Sequence, residues 1–317
     1  MENLLEIKDL HVSFKTYDGI LKVLNGINLN VGVGEKVSVV GETGCGKTTT
    51  LKSVMRLLAR NAIVDDGEIY FKGENLLTIS NKKLNQVRNY GIGMIFQDPT
   101  AALNPVFTLG EQLEEILKAN GIKKNRKKDG IDALKLARLP DAERMYESYP
   151  FQLSGGMRQR ACIAMALSTK KELLFADEPT TNLDVTIQDQ VLRLINKLYE
   201  ERQMSLVLIT HSLGVAREVA DRVYVMYAGS IIESGKTREI FDNPKHPYTI
   251  GLIKSLPKLT GEEMAKGIPG RIPNYLHPPA GCRFYPRCQH SKSICKEKKP
   301  EMIEVDDNHY VSCFRYK

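Results

Sequence analysis

The eight residues Gly41-Glu42-Thr43-Gly44-Cys45-Gly46-Lys47-Thr48 constrain this chain more than any other segment. They fit the pattern G-x-x-x-x-G-K-[ST]. Val37, Val39 and Val40 before them read as a strand, and Leu51, Val54, Met55 and Leu58 after them recur at helical spacing. A glycine-rich loop in that position lets backbone N–H groups converge on phosphate oxygens, and the following helix adds its positive N-terminal end. Lys47 is expected to reach the β- and γ-phosphates and Thr48 to place its hydroxyl on Mg²⁺, with Thr49 closing the phosphate-binding stretch. Alone, the pattern implies a bound nucleotide and nothing further.

The flanking pattern predicts an α/β protein. Ile7, Leu10, Val12 and Phe14, then Ile27 and Leu29, alternate as short strands ahead of the loop. From Tyr90 to Leu167 helical stripes dominate, among them Leu109, Leu113, Ile116 and Leu117, and Ala133, Leu134, Leu136 and Ala137. Strand and helix then alternate again. Leu173 to Ala176 reads as a buried strand, Ile187 to Leu198 as a helix and Leu206 to Ile209 as a strand, which implies a largely parallel sheet covered by helices.

A formal charge of +7, with 42% apolar and 26% charged residues, is ordinary for a globular chain and does not indicate nucleic acid. The basic run Lys123, Lys124, Arg126, Lys127 and Lys128 lacks interleaved aromatics and reads as a solvated loop. The start Met1-Glu2-Asn3 has no basic stretch before an apolar core, and no apolar run reaches the roughly 18 residues that span a bilayer. A cytosolic chain, held at a membrane only by partners, is expected.

Two further motifs carry chemistry. The apolar run Leu173-Leu174-Phe175-Ala176 ends in Asp177-Glu178. A carboxylate at the end of a parallel strand can hold magnesium, and its neighbour can polarise an attacking water, so Asp177 is assigned to metal and Glu178 to the general-base role. The structural alternative for the pair is a helix N-cap before Pro179. The second motif is Leu153-Ser154-Gly155-Gly156-Met157-Arg158-Gln159-Arg160, in which two glycines open a helix and Ser154 adds a hydroxyl.

LSGGMRQR resembles the signature sequence of ABC-type ATPases, which also precedes an Asp-Glu strand. The resemblance covers about the first 245 residues. It implies that Ser154, Gly155 and Gly156 bind the γ-phosphate held by an opposing subunit. It further implies that Gln97 senses magnesium and the attacking water, that His211 contacts the γ-phosphate, and that Asp184 in Thr180-Thr181-Asn182-Leu183-Asp184 crosses the dimer interface. Phe14 matches the adenine-stacking position, with Tyr17 as competitor. Ser212 follows His211 where many relatives have Asp.

Beyond about Pro244 the chain turns rich in Pro, Gly and Cys and reads as a separate, loop-rich appendage. His246-Pro247-Tyr248-Thr249, then Leu252, Ser255, Leu256 and Pro257, then Pro278-Pro279-Ala280-Gly281-Cys282-Arg283-Phe284-Tyr285-Pro286-Arg287-Cys288, resemble the tail of ATPase subunits of dipeptide and oligopeptide importers, a branch that nickel importers adjoin. Cys282, Cys288, Cys295 and Cys313 follow the spacing C-x5-C-x6-C-x17-C. Without the close pairs of structural zinc sites, that spacing suits a [4Fe-4S] cluster, with zinc or free thiols as alternatives. His290 and His309 could substitute as ligands but read as solvated, Cys45 reads as a small loop residue and Cys162 as core.

The expected fold is therefore an α/β P-loop ABC-type ATPase core, residues 1–245, with an N-terminal antiparallel β layer and an inserted helical subdomain at about 91–165. A small cysteine-bearing region, 246–317, follows. The resemblance implies a head-to-tail dimer with a second, related or identical ATPase subunit, two transmembrane permease subunits and an extracytoplasmic peptide-binding protein, with no nucleic acid. The competing class is a non-transport ABC ATPase acting on nucleic acid. No long coiled-coil insertion and no second phosphate loop are present in the sequence to support its usual forms.

Overall fold

A computed structural model describes residues 2–181, 183–256 and 267–317. Met1, Asn182 and Pro257, named above, lie outside the described residues. The chain divides into two compact units, 1–79 with 208–317, and 80–207.

In the first unit the opening strand Asn3–Thr16 pairs antiparallel with Gly19–Gly32 and with Ala62–Phe71, which in turn pairs with Glu74–Asn75. Leu5, Ile7, Leu10 and Val12 all face inward and are essentially buried, a register shift between Ile7 and Leu10 keeping the two on one face across a step that plain alternation would reverse. A second set of strands is built on Lys36–Val40, which runs parallel to Arg222–Tyr227 in the register Val37 with Arg222 and Val40 with Val225. Arg222–Tyr227 turns antiparallel into Ser230–Lys236.

The tail is built into this unit rather than set apart. Its strand His309–Val311 pairs antiparallel with Ser230–Lys236 through Glu233 with Val311 and Ser234 with Tyr310, and Ile303–Asp306 pairs in turn with His309–Val311. Phe284 and Tyr248 share a core with Val40, Val225 and Tyr227, and Leu252, Ile253, Ile268 and Ile272 pack against it. The Pro- and Gly-rich texture marks turns, but the aromatic side chains between them do the packing, and composition alone conceals that. Tyr227 meets Tyr248 and Phe284 at ring-centroid distances of 4.7 and 5.1 Å, within the range in which tilted aromatic pairs attract.

In the second unit Ile92–Ile95 pairs parallel with Leu173–Asp177, in the register Ile92 with Leu173 and Ile95 with Ala176. Between these strands lie the helices Leu109–Ala119, Arg126–Leu136, Ala142–Tyr146 and Gly155–Ala166. Leu109, Leu113 and Leu117 form the buried stripe that the spacing predicts, and Thr108 with Glu111 closes a capping box at the helix start. The basic run is not wholly a loop. Arg126, Lys127 and Lys128 form the first turn of Arg126–Leu136, with Asn125 in the left-handed region before it. Lys127 is tied to Glu147 at 2.8 Å. The long helix Val185–Arg202 buries Val191, Leu194, Ile195 and Leu198, and Ser205–Thr210 leads the chain out of this unit into the first.

Candidate functional site

The phosphate loop connects Lys36–Val40 to the helix Lys47–Val54. Its glycines are required by space as well as by conformation. A Cβ on Gly41 would stand 2.1 Å from the Met226 carbonyl oxygen, and Gly46, at φ 108°, precedes the helix where no Cβ fits easily beside Leu24 and Met226. Lys47 is 4% exposed, and its Nζ donates to the carbonyl oxygens of Gly41 at 2.8 Å and Glu42 at 3.1 Å. The loop thus holds its own cation at the mouth of the N–H cradle. Cys45 is fully buried, and burial raises its thiol pKa to about 11, which keeps it protonated and inert, as expected of a small filler.

His211 stands exposed at the end of Ser205–Thr210, also in the first unit. Ser212 caps the helix Leu213–Val219, its hydroxyl accepting the Val215 N–H at 3.4 Å. Ser and Asp are both favoured N-caps, which explains why the departure from Asp is tolerated. Phe14 is half-buried in its strand, opposite Leu21 and Ala62, whereas Tyr17 sits fully exposed at the hairpin turn.

The second unit carries the carboxylates and the signature. Because Ile92–Ile95 and Leu173–Asp177 run parallel in close register, Gln97 and Glu178 emerge side by side beyond the strand ends. The Gln97 amide Nε2 donates to Glu178 Oε2 at 3.0 Å, and Thr181 Oγ1 donates to the same oxygen at 3.1 Å. Asp177 and Glu178 are both buried, and Glu178 has φ 45°, a left-handed conformation that costs a non-glycine residue roughly 1–2 kcal/mol. Such a conformation is kept where the surroundings fix it, and here it turns the carboxylate toward Gln97.

The helix-cap alternative for Asp177-Glu178 is not realised. The residue that caps Val185–Arg202 is Asp184, which accepts the Ile187 N–H at 3.0 Å. Ser154 caps Gly155–Ala166 by accepting from Met157 N–H at 3.3 Å, and Ser154 and Gly155 are exposed. A Cβ on Gly156 would lie 2.8 Å from Ile187 Cγ2, so the helix opening is held close to the helix that Asp184 caps. Cys162 is core, as its spacing implies.

The four tail cysteines line one cavity together with His246, Phe284 and other residues. Tight turns bring them there from their wide spacing. The carbonyls of Cys282, Cys288 and Cys313 accept the turn N–H groups of Tyr285, Ser291 and Tyr316, and Cys282 N–H donates to Cys295 carbonyl oxygen at 2.8 Å. Gly281 is needed for that approach, since its Cβ would stand 2.3 Å from the Cys295 oxygen. Burial raises the Cys282 pKa to about 11 and pushes Cys288 and Cys313 up as well. Among the described residues no group of three or more His, Cys, Asp or Glu side chains is placed to hold a single metal ion.

His290 is exposed as expected, but His309 is not solvated. Its strand turns it inward, where Nε2 meets Glu233 Oε1 at 2.8 Å with both side chains fully buried. Glu233 also accepts the backbone N–H groups of Lys245 and His246. Motif reading missed Thr181, Glu233, Tyr248, Tyr275 and Arg287, all of which make polar contacts near these sites. His-Pro-Tyr and Tyr-Pro-Arg in the tail were the available signals for Tyr248 and Arg287.

These features have counterparts in known proteins. Residues 24–181 match the family described as ABC transporter, and residues 232–295 match the oligopeptide/dipeptide transporter C-terminal region. The oligopeptide transport ATP-binding protein OppD of Bacillus subtilis is 46% identical across 97% of this chain and 87% of its own length. The dipeptide transport ATP-binding protein DppD of the same organism is 44% identical across 99% and 95%. A solved dimer of the ATP-binding cassette MJ0796, in a post-hydrolysis state bound to ADP and Pi, superimposes with a TM-score of 0.65 at 30% identity, covering 74% of this chain and 99% of that one.

Fold and motifs together define an ABC-type ATPase. The chain belongs to the oligopeptide/dipeptide family of ABC transporter ATP-binding proteins. It binds ATP and hydrolyses it to drive transport. Among the described residues no helix is long and apolar enough to cross a membrane.

Proposed function

We propose that this chain energises the uptake of dipeptides or oligopeptides, working at the cytoplasmic face of a membrane beside two permease subunits and an extracytoplasmic peptide-binding protein. The observation that carries the peptide reading is the match of residues 232–295 to the oligopeptide/dipeptide transporter C-terminal region, joined in one chain to a full set of hydrolytic motifs. Neither the nickel nor the nucleic-acid alternative is favoured by the relatives.

In this reading the N–H groups of Gly44 to Thr48 hold the phosphates of ATP, Lys47 exchanges its carbonyl partners for phosphate oxygens, and Phe14 or Tyr17 stacks on adenine. Glu178 accepts a proton from the attacking water, oriented by Gln97, and His211 steadies the γ-phosphate. Bound magnesium neutralises phosphate charge, and Thr48, Gln97 and Asp177 are the side chains that would hold it. The exposed Ser154 and Gly155, with the half-buried Gly156, serve the nucleotide of a second ATPase subunit, with Asp184 at that interface. The dimeric MJ0796 cassette supports such pairing.

Cys282, Cys288, Cys295 and Cys313 would hold a [4Fe-4S] cluster. All four line one cavity, which supports a shared group there, and their wide spacing without close C-x2-4-C pairs favours the cluster over zinc. The cluster would supply a covalent crosslink or an electron site. Anaerobically purified chain should be brown and carry about four iron and four sulfide; a colourless chain with one zinc would favour zinc.

Incubated with membranes that contain its permease subunits, the chain should co-sediment and release phosphate from Mg-ATP. Salt-sensitive DNA binding without membrane association would contradict the transport reading.

A further inference from the structure

Three tail side chains reach into the phosphate loop, and none belongs to its sequence motif. Tyr248 Oη accepts the Glu42 N–H at 3.0 Å, and Tyr275 Oη donates to the Gly44 carbonyl at 2.8 Å. Arg287 Nη1 donates to both carboxylate oxygens of Glu42, at 3.0 and 3.1 Å. The Glu42 carbonyl is engaged too, by Lys47 Nζ and by Cys45 N–H. Every polar group of Glu42 is therefore held.

Arg287 is itself fixed in place. Its Nε donates to the Pro269 carbonyl at 2.9 Å and its Nη2 to the Ile268 carbonyl at 3.0 Å, while the guanidinium lies 5.6 Å from the centre of the Tyr227 ring. Its side chain is 5% exposed against 30% for Glu42, so the pair is poorly screened. Glu42 sets a negative charge within a loop whose partner is a polyanion. Left unpaired, that carboxylate would repel phosphate, and it would be free to compete for the Lys47 ammonium.

We infer that Arg287 is a positioning residue for the phosphate loop. It neutralises and orients Glu42, while Tyr248 and Tyr275 fix the adjoining backbone, so the tail sets the affinity of the loop for ATP. This rests on the phosphate loop being the ATP site. If the unaltered chain bound no ATP, that reading would fail first, before any comparison of variants.

The test is a double-mutant cycle on the full chain, read as the Kd of a fluorescent, non-hydrolysed ATP analogue, with melting temperature followed in parallel. Arg287→Gln should raise Kd roughly tenfold while kcat at saturating ATP stays within about twofold. Adding Glu42→Gln should recover most of the loss, because the repelling charge is gone. A tail residue that only supports the fold would give no such recovery, so a double variant as weak as Arg287→Gln overturns the proposal, as does an unchanged Kd in Arg287→Gln. Should Arg287→Gln fail to fold, Arg287→Lys keeps the charge without the two-oxygen fork. Its Kd should rise about threefold and fall back when combined with Glu42→Gln; equal Kd values with and without Glu42→Gln would overturn the proposal.

Discussion

The phosphate loop and the cysteine-bearing tail are both made of tight turns and close backbone approaches, yet they differ in where their specificity resides. The loop works through its own backbone, so eight adjacent residues suffice to state its chemistry. The tail works through convergence, since Cys282 and Cys313 meet around one cavity only because intervening turns return the chain. The lesson is that the loop can be recognised in isolation, whereas its environment cannot. Glu42, a variable position of the pattern, is held by Tyr248 and Arg287 from more than 200 positions away.

The largest expected effect separates hydrolysis from everything in the tail. Glu178→Gln should lower turnover by about 100-fold or more, the range of a lost general base, while ATP binding and tail iron content stay unchanged. Loss of iron in that variant would break the distinction between the two regions.

A smaller effect tests whether the tail is part of the fold. His309→Leu removes the side-chain partner of the buried Glu233 carboxylate, leaving it only its two backbone N–H donors, and should destabilise the chain by about 1–3 kcal/mol, seen as a lowered denaturation midpoint in urea. An unchanged midpoint would mean that the strand His309–Val311 contributes nothing to the unit it joins.

Cys295→Ser sharpens the comparison further. It should abolish bound iron and raise the ATP Kd only about threefold, because Arg287 stands on the turn between Cys282 and Cys288. Equal iron content would remove Cys295 from the ligand set. The smallest effect belongs to Ser212→Asp, which should change stability by less than about 0.5 kcal/mol in thermal melts, since either residue caps Leu213–Val219.

Much of this was legible before the structure. The step from Leu10 to Val12 and the stripe Leu109, Leu113 and Leu117 follow from burial on one face, which leaves a period in the sequence, whereas Ile7 and Leu10 share a face only through a register shift between them. The resemblance gave Gln97 and Glu178 the same attacking water, and the parallel register of their strands brings the two side chains within 3.0 Å. What escaped was set by tertiary contacts without a period. His309 looked solvated because its buried partner, Glu233, lies 76 positions away, and a polar residue in a three-residue strand gives no sign of its face. The tail looked separate because proline and glycine outweigh Tyr248 and Phe284 in composition, although those two rings decide where it packs. Asp184 was read only for a dimer interface, and its capping of Val185–Arg202 was overlooked although an Asp before a helical stripe signals a cap.

The central claim, that ATP hydrolysis by this chain drives peptide import, is tested most directly by uptake of labelled dipeptides and oligopeptides, with nickel measured alongside, in cells whose own copy is replaced by Glu178→Gln. Peptide uptake should collapse to background while nickel uptake is untouched. Normal peptide uptake, or a loss confined to nickel, would contradict the account.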